Sequence, residues 1–210
     1  MKVFEDFYKK LMGAKSESLQ KSIANCHTDG LFSLVFDGAE NGGLTRAFIA
    51  TKKISPCEIA LHTHCYPLTL AVVHGSVKHH LAYLSKGGVR EDVHNRMPTY
   101  SYHSPLNGGN GLSYTGDGVF YLEEHTLPRG CAVDLDAHSL HSVSCSKGSI
   151  WIVQEHGFVT NTSSVVGAPF ETNGLYTEPK QFQVNDMHKL VANKLKKMLE
   201  VHNQSLRLSN

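Results

Sequence analysis

From Leu31 to Glu155 the chain is a succession of short apolar or alternating runs, each closed by glycine, proline or asparagine. Such runs, recurring about every 8–12 residues, predict an all-β sandwich or barrel rather than an α/β fold. The predicted strands are 31–36, 45–51, the stretch around His62, 68–74, 77–84, 120–127, 131–135, 142–145 and 149–155. Asp37–Gly43, Ser55-Pro56, Gly75, Lys86-Gly87-Gly88, Pro128-Arg129-Gly130 and Lys147-Gly148 supply the turns. Between Val89 and Gly118 the chain is polar and glycine-rich, and loops or an irregular hairpin are expected there. Helical spacing is confined to the ends. Val3, Phe4, Phe7, Tyr8, Leu11 and Met12 recur at helical intervals, and a second short helix is expected from Ser16 to about Asn25. Residues 160–180 read as a surface segment. Met187, Leu190, Val191, Leu195, Met198 and Leu199 then form the apolar stripe of a helix capped at Asn185 or Asp186 and ending near His202. The expected division is a helical segment over 1–30, a β-barrel over 31–160 and a C-terminal extension with an amphipathic helix over 161–210.

A chain of 210 residues, 40% hydrophobic and 19% charged, can bury one sizeable core. Its formal net charge of +1 gives no electrostatic footing for nucleic acid or an anionic membrane surface. No stretch approaches the roughly 20 apolar residues of a spanning helix, and the N-terminus lacks the apolar run of a signal peptide. A cytoplasmic protein, monomer or homodimer, is expected. The five cysteines (Cys26, Cys57, Cys65, Cys131, Cys145) are odd in number and contain no C-x-x-C, so they are expected to be thiols.

Histidine is the compositional outlier, with 14 copies. Within Glu58–Tyr83 stands His62-Thr63-His64. Residues two apart on a strand share a face, so both imidazoles can point into a barrel. Imidazole is the commonest protein metal ligand, and two on one face make half a site. The third ligand is expected from His141 or His138, in a loop that leads into the next strand. If His141 coordinates, His138 is expected to orient a ligand by hydrogen bond. His79, His80 and His74 are expected to be structural. The glycine-rich 107–118 stretch lacks the G-K-[ST] of a phosphate loop.

These residues resemble the cupin superfamily. Its first motif runs G-x5-H-x-H-x3-4-E-x6-G, and His62, His64 and Gly75 stand at its histidines and final glycine; the glutamate would fall at Leu68. In the second motif, G-x5-P-x-G-x2-H-x3-N, Gly130 and His141 match, and the Pro-x-Gly element is not obvious. Three histidines without a carboxylate resemble the cysteine dioxygenase (thiol dioxygenase) family. So does the run Cys131-Ala132-x5-His138-x-Leu140-His141-x-Val143. The resemblance implies a cupin-type β-barrel holding Fe(II) through His62, His64 and His141. It implies a small-molecule thiol and O2 as substrates, with a sulfinate as product. It also implies an arginine on an early strand that holds a substrate carboxylate, for which Arg46 is the candidate. The Ser-x-His-x-Tyr that such enzymes carry on the last strand would fall near Ser149–His156, where His156 or Gln154 could substitute. Leu68 stands where the family's cross-linked cysteine would be, so no thioether is expected. The residues themselves leave other readings open: a cupin acting on a non-thiol small molecule, or a non-enzymatic cupin with a structural or sensed metal such as zinc.

Overall fold

The computed structural model describes residues 1–38, 43–56, 58–85, 94–103, 109–167, 180 and 182–208. Helices α1 (Lys2–Met12) and α2 (Ser16–Leu19) open the chain. Strands follow: β1 (Leu31–Gly38), β2 (Leu44–Ala50), β3 (Leu61–His62), β4 (Leu68–His74), β5 (Ser76–Leu84), β6 (His94–His103), β7 (Gly111–Pro128), β8 (Ala132–Leu135), β9 (Leu140–Cys145), β10 (Ile150–Glu155) and β11 (Ser163–Val166). Helix α3 (Val184–Leu208) closes the chain. All strand pairs are antiparallel. One sheet has the order β1-β2-β10-β4-β8, and the other six strands close on themselves in the order β11-β3-β9-β5-β7-β6. The expected all-β core, with a closed barrel and helices at both ends, is therefore present.

The alternation of side chains along each strand builds two cores. Phe48, Leu68, Leu70, Val72, Trp151 and Val153 point between the sheets, where they meet Val77, Val143 and Cys145 of the closed sheet. Their neighbours Ala47, Ile49, Ala71, Val73, Ile150 and Ile152 point the other way, against Phe4, Phe7 and Leu11 of α1 and Val191, Leu195 and Met198 of α3. A sheet buried on both faces needs nearly continuous apolar strands, and β4 (LTLAVVH) and β10 (IWIVQE) read that way. Each buried Phe or Leu of the helices contributes about 1.5–3 kcal/mol by leaving water. A smaller cluster, Ala82, Phe120 and Val166 with Leu61, Met97 and Leu140, lies on the other face of the closed sheet.

Gly75 joins β4 to β5 at φ +72, and a Cβ there would meet Ser149 Oγ at 2.7 Å. Left-handed backbone and close approach both require glycine at that turn.

Several local expectations change. The second helix ends at Leu19, and the following segment joins the sheet instead, with Ile23 bridging Ser33. Of the two alternatives expected for the polar stretch after Val89, the described residues show the irregular hairpin: β6 and β7 pair over a long run, with a register shift between Thr99 and Tyr100. The barrel also runs past residue 160. β11 pairs with both β3 and β6 and closes the second sheet. Helix α3 is longer than its apolar stripe required, Val184–Leu208. Among the described residues Cys26, Cys65, Cys131 and Cys145 are free thiols, and Cys57, the Lys86–Gly88 turn and residues 168–179 lie outside them. No described helix is long and apolar enough to cross a membrane.

Candidate metal centre

Three imidazoles converge between the two sheets. β3 is two residues long and pairs with β9 at the single position His62↔His141, which sets these side chains side by side. His64 lies just beyond β3, where its N–H donates to the Ala137 carbonyl at 2.9 Å. His62 and His64 thus share a destination, although only the first stands on a strand. One ring nitrogen from each of His62, His64 and His141 lies within 4.8 Å of the other two. The His64 and His141 Nε2 atoms face each other at 2.8 Å. Nitrogens on a common ion at about 2.0–2.1 Å stand roughly 3 Å apart, so small rotations bring all three into a coordination sphere.

The tautomers suit that role. The Nδ1–H of His62 donates to the Ala60 carbonyl at 2.8 Å, which leaves Nε2 with its lone pair free. Burial holds His62 at about 4 and His64 at about 3, and pushes His141 well below the usual histidine value. Neighbouring imidazoles add to each shift. All three rings are therefore neutral near pH 7, the form that binds a metal.

His79, expected to be structural, is a buried contact that supports the site. It lies on β5, diagonal to His141 across the β5–β9 pair, and its Nε2 stands 3.0 Å from His141 Nδ1. Both rings are buried. With His141 Nδ1–H donating to His79, Nε2 of His141 is free for an ion, the usual way a ligand ring is held. The signal was available only as register: His79 has the same parity on its strand as the inward residues Val77 and Leu81.

His27 was unforeseen. Its ring lies 5.5 Å from that of His62 and 6.3 Å from that of Phe48. Burial, then Arg46, hold it at about 4.

The other expected residues fall in different places. His138 is exposed on the turn before β9, where its backbone N–H donates to Asp136 Oδ1; it does not orient His141. His156 is exposed and donates to Thr69 Oγ1 at 2.8 Å; that hydroxyl in turn donates to Asp134. Thr69 points away from Leu68 on β4, so His156 is on the far side of the sheet from the triad. Gln154 has the same outward parity, opposite Thr69.

Arg46 does face inward, two residues before Phe48 on β2. It forms an ion pair with Glu155, whose side chain is 2% exposed and also accepts the Leu44 N–H at 2.9 Å. Burial opposes the charge on Arg46, but the Glu155 carboxylate, together with Tyr66 and Cys26, raises its pKa and keeps the guanidinium protonated. Arg46 Nε has no acceptor among the described residues. Glu155 pairs in register with Leu68, so a carboxylate stands level with the position where the cupin motif would place its glutamate. It is tied to Arg46 and lies outside the triad. Tyr66 completes this wall. Its ring lies 5.4 Å from that of His64, and burial followed by the Glu155 carboxylate raises its phenol.

No family model matches the chain, and no curated protein matches it. Among solved structures it is similar to hydroxypropylphosphonic acid epoxidase from S. wedmorenis, at 15% identity over 66% of this chain and 56% of that one, TM-score 0.38. A structure of FeII HppE gives 14% identity, 64% and 55% coverage, and a TM-score of 0.36. The Drosophila melanogaster CENP-C cupin domain gives 14% identity, 77% and 94% coverage, and a TM-score of 0.24. The chain spans 56% of the length of the epoxidase. Likenesses this distant carry no argument about activity; the triad rests on this chain's own geometry.

Proposed function

We propose that the chain is a mononuclear, Fe(II)-dependent oxygenase of a small molecule, with a thiol as substrate. The observation that carries this reading is the convergence of three neutral imidazoles, His62, His64 and His141, at the inner surface of a β-barrel. Three neutral ligands leave the full charge of a divalent ion in place, which favours an anionic ligand such as a thiolate. Bound iron would supply redox chemistry with O2, which zinc cannot. The net reaction is RSH + O2 → RSO2H: both oxygen atoms pass to sulfur and no external reductant is consumed.

The chain's own residues then have distinct tasks. His62 is held by Ala60 and His141 by His79, so both present Nε2. Arg46 and Glu155 form a charge-neutral wall beside the triad. An arginine already neutralised by a buried carboxylate offers little to a substrate carboxylate. That narrows the class to thiols without one, such as cysteamine, and away from the carboxylate clamp that the thiol dioxygenase resemblance implied. The same observation keeps a second reading open, an oxygenase or isomerase of an uncharged non-thiol molecule. His138 and His156 have no part in either.

Oxygen uptake by Fe(II)-reconstituted protein tests the reading. Cysteamine should drive uptake and yield a sulfinate, with cysteine and 3-mercaptopropionate slower, and His62→Ala should abolish it. Stoichiometric iron without thiol-dependent uptake would favour the second reading. Tightly held zinc in a closed site would mark a non-enzymatic cupin.

A further inference from the structure

We propose that His27 touches the small molecule bound at the metal centre, as a hydrogen-bonding group that does not itself coordinate the ion. The inference rests on the metal centre argued above and adds a fourth imidazole with a different task.

His27 reaches the site from the loop before β1. Its neighbours Cys26 and Thr28 are buried and pinned: Cys26 N–H donates to the Leu31 carbonyl at 2.8 Å, and Thr28 Oγ1 donates to Glu58 Oε2 at 3.0 Å. Asn25 and His27 both adopt left-handed backbone, φ 57 and 68, and the Asn25 side chain accepts the Gly30 N–H at 3.1 Å. A left-handed histidine is unfavourable and persists only where its surroundings hold it. Here they hold the ring against His62, with 30° between the planes, and against Phe48.

Three features separate His27 from the triad. Its nitrogens fall outside the group that lies within 4.8 Å. Among the described residues nothing hydrogen bonds to its ring, whereas His62, His64 and His141 are each engaged. More than a third of the residue is open to solvent, whereas His62 and His64 are half-buried and His141 is buried. A neutral imidazole carries one donor and one acceptor. Both are unspent and lie beside the ion's ligands. A ligand whose second atom lies one bond from the metal-bound atom would meet them.

Azide is a suitable probe, because it binds a metal through one nitrogen and presents its far end to neighbouring donors. Wild-type protein loaded with Co(II), His27→Ala, His27→Gly and His27→Gln would be titrated with azide and followed by visible absorption. His27→Gly removes the ring and also relieves the left-handed backbone, so it folds even if the alanine variant does not. The expected result is Co(II) affinity within threefold of wild type and an unchanged azide-free spectrum in every variant. Azide Kd should rise about tenfold in the Ala and Gly variants, the worth of a hydrogen bond to a charged group, with partial recovery in Gln. Azide affinity unchanged in His27→Gly overturns the proposal. So does an altered azide-free spectrum, which would make His27 a fourth ligand. Failure of the wild type to bind Co(II) would instead remove the metal centre itself.

Discussion

The two walls of the barrel interior are built on different terms. The five-stranded wall is buried on both faces, between Phe48, Leu70 and Trp151 inside and the α1–α3 pair outside. Among the described residues no helix packs on the closed six-stranded wall, and its outer residues Leu84 and Leu122 are exposed. Yet among the described residues the first wall contributes the Arg46–Glu155 pair and Phe48 to the site, whereas His141 and His79, as well as His62, come from the second. The lesson is a division of labour. The wall with the larger apolar burial carries the stability, and the wall with less to bury has inward positions to spare for imidazoles.

Substitutions that separate stability from metal binding would break or sharpen this contrast. The largest effect belongs to the covered wall. Phe7→Ala removes a ring that is 1% exposed and should cost about 3–5 kcal/mol in chemical denaturation while leaving Co(II) affinity unchanged. Glu155→Gln leaves the Arg46 charge uncompensated, and the expected loss is again about 3–5 kcal/mol. A smaller loss would show that Arg46 finds water. On the other wall the order reverses. His79→Leu should lower metal affinity about 10–100-fold, because His141 loses the partner that holds its ring, with little change in the stability of the metal-free protein.

How much of this could be read from the sequence depends on whether the cue is local. The triad was legible: H-x-H spacing, Gly75 and the loop into β9 point at His62, His64 and His141. The strands of the five-stranded wall were legible because their apolar runs are continuous. For the β6–β7 stretch an irregular hairpin was one of two expectations, but the strand bounds were not legible, because polar residues and glycines interrupt both strands and the pairing is supplied by the partner strand. The contact of His79 with His141, and the places of Glu155 and His27, were not legible for a related reason. His79 reaches His141 only through β5–β9 register, and Glu155 comes level with Leu68 only through β4–β10 register. His27 arrives on a loop with no motif. His138 misled because it is near His141 in sequence while its side chain is exposed on the turn.

Acid should affect the site wall selectively. His62, His64 and His141 have lowered values in the fold, whereas an unfolded chain protonates near 6.5. Between about 4 and 6.5 the unfolded state thus binds more protons, and stability falls as pH falls through that window. The Tm of metal-free protein should drop from pH 7 to pH 5, and His62→Gln should flatten the slope. The smallest effect is expected on the exposed outer face, where Leu122→Ser should stay within about 0.5 kcal/mol and leave metal affinity unchanged.

Metal stoichiometry tests the central claim most directly. Fe(II) and Co(II) titrations of wild type, His62→Ala, His64→Ala and His141→Ala should give one ion per chain in the wild type and at least about a hundredfold weaker binding in each variant, all remaining folded. Wild-type protein that binds no divalent metal, or variants that bind it as tightly as wild type, would contradict the account.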